Sequence, residues 1–454
     1  MSDDTATTSS TPAGRSIPRS ALRGGGCGSL MHRTAPAWRR SVRELMFLVT
    51  VYAATGAEFR LEFPSPSADR WMYPHNATPG TRPSASVFSS VGDASGVDTR
   101  HGQFLLGWDT SHSLPSGLAP NRYVVTSVHL SLTTLREGSF VNDSTPDAFE
   151  SALFPEDPRY VPDADPGRPV ELFGAGFRND FTAASFLEHS PFGSAATGGR
   201  NAFAAGFNLG REFVDVGNNV GKTNALFLPF PTRPFAVGVI THVAAGEPVP
   251  ADSTVTFELQ LGDPDVLGYV QNALSAGRLW LVATWLGESG GFAGTPQYPE
   301  FATRDNLLHD PPSLVVEGVL LGEEDSDTDG LPDDWERLHL GGIAESGDDD
   351  RDRDGASNAA EFALGTDPDN AASVMAIRSL RLEQDGTGVL DLLDAGPGPL
   401  RVEASSDLVR WAPVSGRMLF MEPGRGQWRS DAPLDGEGRF LRVNRTGTAP
   451  TDAE

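Results

Sequence analysis

The segment from Asp325 to Asp369 constrains this chain most, because it contains the pattern D-x-D-x-D-G-x5-E twice. The first copy reads DSDTDGLPDDWE from residue 325, and the second reads DRDRDGASNAAE from residue 350. Alternate residues of such a tight loop point inward together, and the glycine permits its sharp turn. A solvated acidic linker requires neither that glycine nor a closing glutamate, yet both occur twice here. The spacing therefore predicts two loops that each bind a calcium ion.

Each predicted loop offers side-chain oxygens at positions 1, 3 and 5, a backbone carbonyl at position 7, a water-mediated contact at position 9 and a glutamate at position 12. The predicted metal ligands are Asp325, Asp327, Asp329, the Leu331 carbonyl, Asp333 and Glu336 in the first loop, and Asp350, Asp352, Asp354, the Ala356 carbonyl, Asn358 and Glu361 in the second. Ca2+ prefers roughly six to eight hard oxygen ligands, so about two Ca2+ ions are expected. Without metal these carboxylates repel one another, and we expect the segment to be loose.

The two loops have the forms D-x-D-x-D-G-L-P-D-x-W-E and D-G-x-x-N-x-x-E-F-x-x-G-T-D-P. In these forms the segment resembles the calcium-binding thrombospondin type 3 repeats of bacterial secreted proteins, over about residues 325–369 only. It departs from a helix–loop–helix EF-hand, because a predicted strand enters the first loop and each exit has room for about two helical turns, the second ending at Gly365. The resemblance implies EF-hand-like loops that form a calcium-stiffened spacer and not a calcium sensor.

The remainder of the chain predicts a mainly β protein. Five stretches between residues 58 and 322 alternate in hydrophobicity. They are RYVVTSVHLSLTTL from residue 122, PFAVGVITHV from 234, STVTFELQL from 253, RLWLVATWL from 278 and SLVVEGVLL from 313. One helix is predicted, with Asp263 as N-cap, Pro264 at its first position and Gly277 as its stop. Many strands and a single helix indicate a large, jelly-roll-like β-sandwich over residues 58–322.

The calcium segment covers residues 323–371, and a second, smaller β unit is predicted over residues 372–449. The stretches AIRSLRLE, GVLDLL, PLRVEASSDLVRWAPV and RFLRVNR predict strands of a small, fibronectin-like C-terminal β-sandwich. Trp411 is interpreted as a core residue of that sandwich. Residues 450–454 form a polar tail.

Residues 1–57 are interpreted as an export leader or a disordered N-terminus. Arg39, Arg40 and Arg43 precede the apolar run LMFLVTVYAA, and the small residues TGA end at Ala57. A buried strand is the alternative interpretation of that run. Extracellular calcium modules bind at roughly 10⁻⁴–10⁻³ M, which fits export. The chain is therefore predicted to be secreted, extracellular or part of a bacterial cell envelope.

The net charge of −26 argues against a nucleic-acid partner, whose phosphates would be repelled. Residues 323–369 carry 17 acidic residues against three arginines, so more than half of this excess charge belongs to the calcium segment. The single cysteine, Cys27, excludes a disulfide within the chain. No apolar run approaches the roughly 18 residues of a membrane-spanning helix.

No catalytic or cofactor-binding residue is predicted. The motif GESGG around Ser289 is not followed by a helix, and GNNVGKT at 217–223 is one residue short of a phosphate-binding loop. The acidic stretch EDPRYVPDADPG at 156–167 lacks alternating ligand geometry and is interpreted as a loop. A non-catalytic role in adhesion, matrix structure or ligand binding is favoured, with calcium as one partner and an extracellular glycan or protein as another.

Two alternatives stay open for the sandwich of residues 58–322. A secreted glycan-active hydrolase requires paired carboxylates roughly 5–9 Å apart in a concave pocket. A carbohydrate-binding accessory module requires exposed aromatic residues, for which Trp71, Tyr73 and Trp108 are candidates.

Overall fold

The protein is represented by a computed structural model. It describes residues 56–89, 101–152, 158–194, 199–208, 211, 213–216, 233–287, 297–393, 400–422, 425–434 and 440–445. The predicted leader as far as residue 55, the Ser289 motif, the GNNVGKT stretch and the tail lie outside the described residues.

The described elements are 22 strands, three α-helices and two short 3-10 helices. The α-helices are α1 (Pro264–Ser275), α2 (Asp333–His339) and α3 (Asn358–Leu364), and the 3-10 helices are Pro120–Arg122 and Phe149–Ala152. The strands before α2 are β1 (Ala57–Phe63), β2 (Ala68–Met72), β3 (Ser84–Ser86), β4 (Gln103–Asp109), β5 (Tyr123–Thr133), β6 (Val170–Phe177), β7 (Gly193–Ser194), β8 (Gly199–Arg200), β9 (Ala202–Phe207), β10 (Phe213–Asp215), β11 (Ala236–Val237), β12 (Thr254–Glu258), β13 (Arg278–Trp285), β14 (Glu300–Ala302) and β15 (Ser313–Leu320). The strands after α3 are β16 (Ala376–Leu382), β17 (Thr387–Leu393), β18 (Leu400–Ser405), β19 (Ala412–Pro413), β20 (Gly416–Glu422), β21 (Arg425–Pro433) and β22 (Phe440–Arg445).

Two antiparallel sheets form the large sandwich. One has the strand order β1-β15-β5-β12, and the other has the order β10-β9-β6-β13-β4-β2, with β11 paired to β6. Eight of these strands (β1, β4, β5, β6, β9, β12, β13 and β15) form two facing four-stranded sets, β1-β15-β5-β12 and β4-β13-β6-β9. When these eight strands are numbered one to eight along the chain, the two sets have the orders 1-8-3-6 and 2-7-4-5. This is the jelly-roll arrangement. The predicted mainly β, jelly-roll-like sandwich is confirmed.

The second sheet is buried on both faces. Leu106 and Leu281 face the main core between the sheets, whereas Leu105 and Val282 belong to a separate hydrophobic cluster on the opposite face. The fully buried ring of Phe186, from the connection between β6 and β7, belongs to that second cluster. Strands β4, β6 and β13 consequently show almost continuous burial in place of alternation.

The predicted helix is confirmed as α1. Asp263 Oδ1 accepts a hydrogen bond of 2.9 Å from the Asp265 N–H, and Pro264 occupies the first helical position. The helix ends before Gly277, whose φ of 75° lies in the left-handed region.

The stretch from residue 234 to 243 is not one long strand, contrary to the prediction. Ala236 and Val237 pair with β6 in the second sheet, and Val239 forms an isolated bridge with Thr256 of the first sheet. The chain crosses from one sheet to the other here, so neither ladder can continue through it.

The small C-terminal sandwich is also confirmed. Its sheets have the orders β16-β17-β21-β20 and β19-β18-β22. When the seven strands are lettered A, B, C, C′, D, E and F along the chain, the first sheet has the A-B-E-D order of immunoglobulin-like domains. Its buried core comprises Leu390, Leu392, Val402, Trp428 and Val443. The interpretation of Trp411 as a core residue was wrong: its ring is half-buried and lies 4.4 Å from the Arg442 guanidinium carbon.

Over the part of the chain that the structure describes, no helix is both long and apolar enough to span a membrane.

Candidate metal centre

The first acidic loop wraps its backbone around its own carboxylates. The N–H groups of Asp329 and Gly330 donate to the two oxygens of Asp325, at 3.2 and 3.1 Å. The Leu331 N–H donates to Asp329 Oδ1 at 2.9 Å. Gly330 has a φ of 94°, a conformation that side chains of L-residues rarely adopt, so this turn requires glycine.

The second loop repeats this geometry position by position. The N–H groups of Asp354 and Gly355 donate to the two oxygens of Asp350, at 3.2 and 2.9 Å. The Ala356 N–H donates to Asp354 Oδ1 at 2.7 Å, and Gly355 has a φ of 101°. Two loops with unrelated intervening residues therefore adopt one backbone conformation, as their shared motif predicts.

Both loops bring three carboxylates together. One oxygen from each of Asp325, Asp327 and Asp329 lies within 4.8 Å of the others, and the same holds for Asp350, Asp352 and Asp354. Oxygens on opposite sides of one Ca2+ would be separated by about twice its 2.3–2.6 Å ligand distance, so each trio can share an ion.

Glu336 closes the first loop from inside the protein. It lies on α2, which begins at Asp333, and its side chain is fully buried. Within the described residues neither of its carboxylate oxygens has a hydrogen-bond partner. Burial, and then the charges of Asp327 and Asp329, raise the pKa of Glu336 to about 7. A buried carboxylate without donors is strongly unfavourable unless it is protonated or binds a cation.

Glu361 takes the same place in the second loop. It lies on α3, where the Ser357 side chain caps the helix by accepting from the Ala360 N–H. Glu361 is fully buried; its Oε1 accepts from the Thr366 hydroxyl at 3.2 Å. Burial, and next the charge of Asp352, raise the pKa of Glu361 to about 7 despite that hydrogen bond.

Four oxygens of the second loop are buried without a hydrogen-bond partner among the described residues. They belong to Asp352 (Oδ2), Asp354 (Oδ2), Asn358 (Oδ1) and Glu361 (Oε2). The Asn358 amide nitrogen donates to the Ser346 carbonyl at 3.1 Å, which fixes its oxygen on the opposite side of the amide group. All four residues are predicted ligands, and buried oxygens of this kind are the donor set that a hard cation requires.

Asp333 has a different environment from the other predicted ligands. Its two oxygens accept hydrogen bonds from the Ser326 N–H and hydroxyl, both at 2.7 Å, and Arg337 pairs with it at 2.9 Å. These hydrogen bonds, the Ser326 N–H first, lower the pKa of Asp333. Asp333 thereby closes the loop structurally, and its water-mediated contact stays a prediction, as do the carbonyl ligands of Leu331 and Ala356.

The two loops form one unit. The Gly347 N–H donates to Asp329 Oδ2, and the Gly347 carbonyl accepts from the Ala359 N–H at 2.9 Å. A Cβ atom at Gly347 would lie 2.8 Å from the Asp329 carbonyl oxygen, so only glycine fits there. Arg351, at an even position of the second loop, pairs with Asp369 at 2.8 Å and with Glu345 and not with the three converging aspartates.

The acidic segment packs against the large sandwich, which the sequence did not reveal. Leu331, Trp335 and Leu340 bury their side chains with Leu321, at the end of β15. Val124 and Val319, on β5 and β15, and Ala359 and Phe362, on α3, pack against this cluster. Polar contacts add to it, including the Asn121 amide, which donates to the Phe362 carbonyl at 3.1 Å. The only hint in the sequence was that apolar residues occur inside an otherwise acidic stretch.

Trp108 and Trp71, which were proposed from sequence as sugar contacts, do not have freely exposed rings. Trp108 is fully buried in the main core. The Trp71 ring stacks on Tyr73 at 4.4 Å, lies 4.6 Å from the Arg82 guanidinium carbon and donates from Nε1 to the Ser86 carbonyl.

Comparisons of the chain with protein-family models, curated proteins and solved structures found no match.

Proposed function

We propose that this chain is a secreted calcium-binding protein of the extracellular space or cell envelope, with a non-catalytic role in adhesion, matrix structure or ligand binding. The observation that carries the proposal is the pair of fully buried glutamates, Glu336 and Glu361, each beside three converging aspartates. Oxygen-only ligands and a flexible loop favour Ca2+ over transition metals, which prefer nitrogen and sulfur ligands.

Calcium has a structural role in this proposal. The ions neutralise carboxylates that otherwise repel one another, and they hold α2 and α3 over the apolar cluster of Leu331 and Trp335. Helices of seven residues are too short to be stable alone in water, so ion binding and packing together must order them. The connection between the two sandwiches is thereby stiffened.

The described residues give less support to the hydrolase alternative. A pocket of about 460 Å³ on the large sandwich is lined by residues 126–127 and 258–262. Its lining contains one carboxylate, Glu258, whereas glycoside hydrolysis generally requires two. A glycan or protein ligand for the large sandwich remains part of the proposal.

The proposal is tested by counting calcium ions on the full chain with isothermal titration calorimetry. Glu336→Gln and Glu361→Gln should each remove one equivalent at millimolar calcium, because the amide cannot supply two charged oxygens to the ion. The double variant should bind two fewer ions than the wild type.

Glu324→Gln is the matched control, since Glu324 is an exposed acid of the same segment and is not a predicted ligand. It should keep the wild-type stoichiometry. Unchanged stoichiometry in the double variant would refute the proposal.

A further inference from the structure

A second group of acids lies in the large sandwich, in the connection between β5 and β6. One carboxylate oxygen from each of Asp143, Asp147, Asp163 and Asp165 lies within 4.8 Å of the others. The sequence interpretation rejected calcium here because residues 156–167 lack alternating ligands. Two of the four acids, however, come from about twenty residues earlier in the chain, so the group exists only in the folded protein.

The backbone is closely packed where the two parts of this connection meet. Gly167 has a φ of 111°, and a Cβ atom there would lie 2.8 Å from Val141 Cγ2 and 3.0 Å from Asp143 Cβ. The connection is also tied to β13, because Trp285 Nε1 donates to the Arg168 carbonyl at 2.8 Å. The acids are therefore held in place by the fold.

Asp143 has a buried oxygen without a hydrogen-bond partner among the described residues. The residue is only 7% exposed, and the oxygen concerned is Oδ2. Its Oδ1 accepts from the Thr145 N–H at 2.9 Å. The Thr145 hydroxyl lies 2.7 Å from that oxygen and 2.6 Å from Asp165 Oδ2, yet its one proton can serve only one carboxylate at a time.

One arginine does not balance the charge of this group. The Arg168 guanidinium donates to Asp147 and to Ser151, and it lies 3.7 Å from Asp163 Oδ2. Glu171 is buried on β6 nearby, and burial followed by the charge of Asp147 raises its pKa to about 8, so this acid is mostly neutral at pH 7. The four aspartates against Arg168 still leave an excess of negative charge around Asp143 Oδ2.

We propose that Asp143, Asp147, Asp163 and Asp165 bind a third calcium ion, which joins the two parts of the β5–β6 connection to each other. All four ligands are carboxylate oxygens, so the ion is a hard cation. Mg2+ is usually held by one or two protein carboxylates and several waters, whereas four carboxylates match Ca2+. This site is independent of the proposed function, because it lies in a different domain.

The experiment is calcium titration of the full chain by calorimetry. In the Glu336→Gln, Glu361→Gln background one equivalent should remain, and adding Asp143→Asn together with Asp165→Asn should remove it. The same pair of changes in the wild-type background should lower the stoichiometry by one, whatever the acidic segment binds. Failure of the proposed function and failure of this inference are thereby distinguished.

Asp310→Asn is the matched control, because Asp310 is an exposed aspartate of the same domain outside the group. It should leave the stoichiometry unchanged. Asp165→Asn alone should not disturb folding, since Asp165 is exposed. It should lower the calcium affinity of one site by at least about tenfold. If both the double and the single variant keep wild-type calcium binding, Arg168 and bound protons suffice to neutralise the four aspartates, and the third site does not exist.

Discussion

Buried acids in this protein fall into two kinds, and their hydrogen bonds separate them. Asp69 is only 2% exposed, but the Arg304 N–H donates to its Oδ2 at 2.7 Å, and Glu188 and Asp305 lie nearby. Glu336 is equally buried and has no such donor within the described residues. Burial raises the pKa of both groups to about 7, so the difference between them is that Asp69 has a protein donor, whereas neither oxygen of Glu336 has one within the described residues.

Asp69 predicts a specific pH dependence of stability. Burial raises its folded-state pKa to about 7, outweighing the Arg304 N–H, while the unfolded value is near 3.8. The folded protein then binds more protons than the unfolded chain between these values, so the free energy of unfolding falls as the pH rises from about 4 to 7, by up to about 1.4 kcal/mol per pH unit. Asp69→Asn should remove this contribution.

The measurement is urea unfolding of wild type and Asp69→Asn between pH 5 and pH 8 at saturating calcium. The variant should become more stable relative to the wild type as the pH rises. Parallel stability curves across this range would show that Asp69 titrates normally.

At the scale of elements, the two loops depend on glycines whose role is purely conformational. Gly355 has a φ of 101°, and a Cβ atom there would meet nothing within 4 Å. Gly355→Ala should consequently destabilise the loop conformation through backbone strain and not through a steric clash. Gly342, between the loops, also has open space around it and lacks a positive φ.

Gly355→Ala should lower the calcium affinity of the second loop by roughly tenfold or more, since strain of about 1–3 kcal/mol opposes the bound conformation. Gly342→Ala should leave calcium affinity unchanged, and the comparison can be made by calorimetry on the full chain. Equal affinities for the two variants would contradict the loop geometry.

At the scale of the whole molecule, the protein has separate hydrophobic cores. The main core, the small-sandwich core and the cluster around Trp335 share no buried residues. The two ions proposed for the acidic segment would order only elements of the Trp335 cluster. Loss of these two ions should therefore act locally, on residues 323–371, before it affects the strands of the jelly roll.

Limited proteolysis in EDTA should cut within residues 323–371 and, because the third ion is also lost, within the β5–β6 connection, with the cleavage sites identified by mass spectrometry. Free calcium at about 100 times Kd stabilises each site by about 2.7 kcal/mol, so millimolar calcium should slow this cleavage strongly. Magnesium at the same ionic strength is the control. Identical cleavage patterns in EDTA and in calcium would contradict a structural role for the ions.

Local pattern was sufficient for several features. Caps, glycines and alternating acids predicted the helix α1, the paired acidic loops and the two-turn helices after them. These signals all act within about a dozen residues. Strand β5 was equally readable, because one of its faces is buried and the other is not. Strands β4, β6 and β9 were missed, since burial on both faces weakens the alternation that would identify them, although β13 was predicted despite the same burial.

The sequence established the two acidic loops and a mainly β chain, because spacing along the backbone determines both. Three other features required the tertiary structure. The docking of Trp335 on β5 and β15, the burial of Trp108 and the meeting of Asp143 with Asp163 depend on residues far apart in the chain. Such contacts form only after the sheets pair, and a single sequence contains no local periodicity that would predict them.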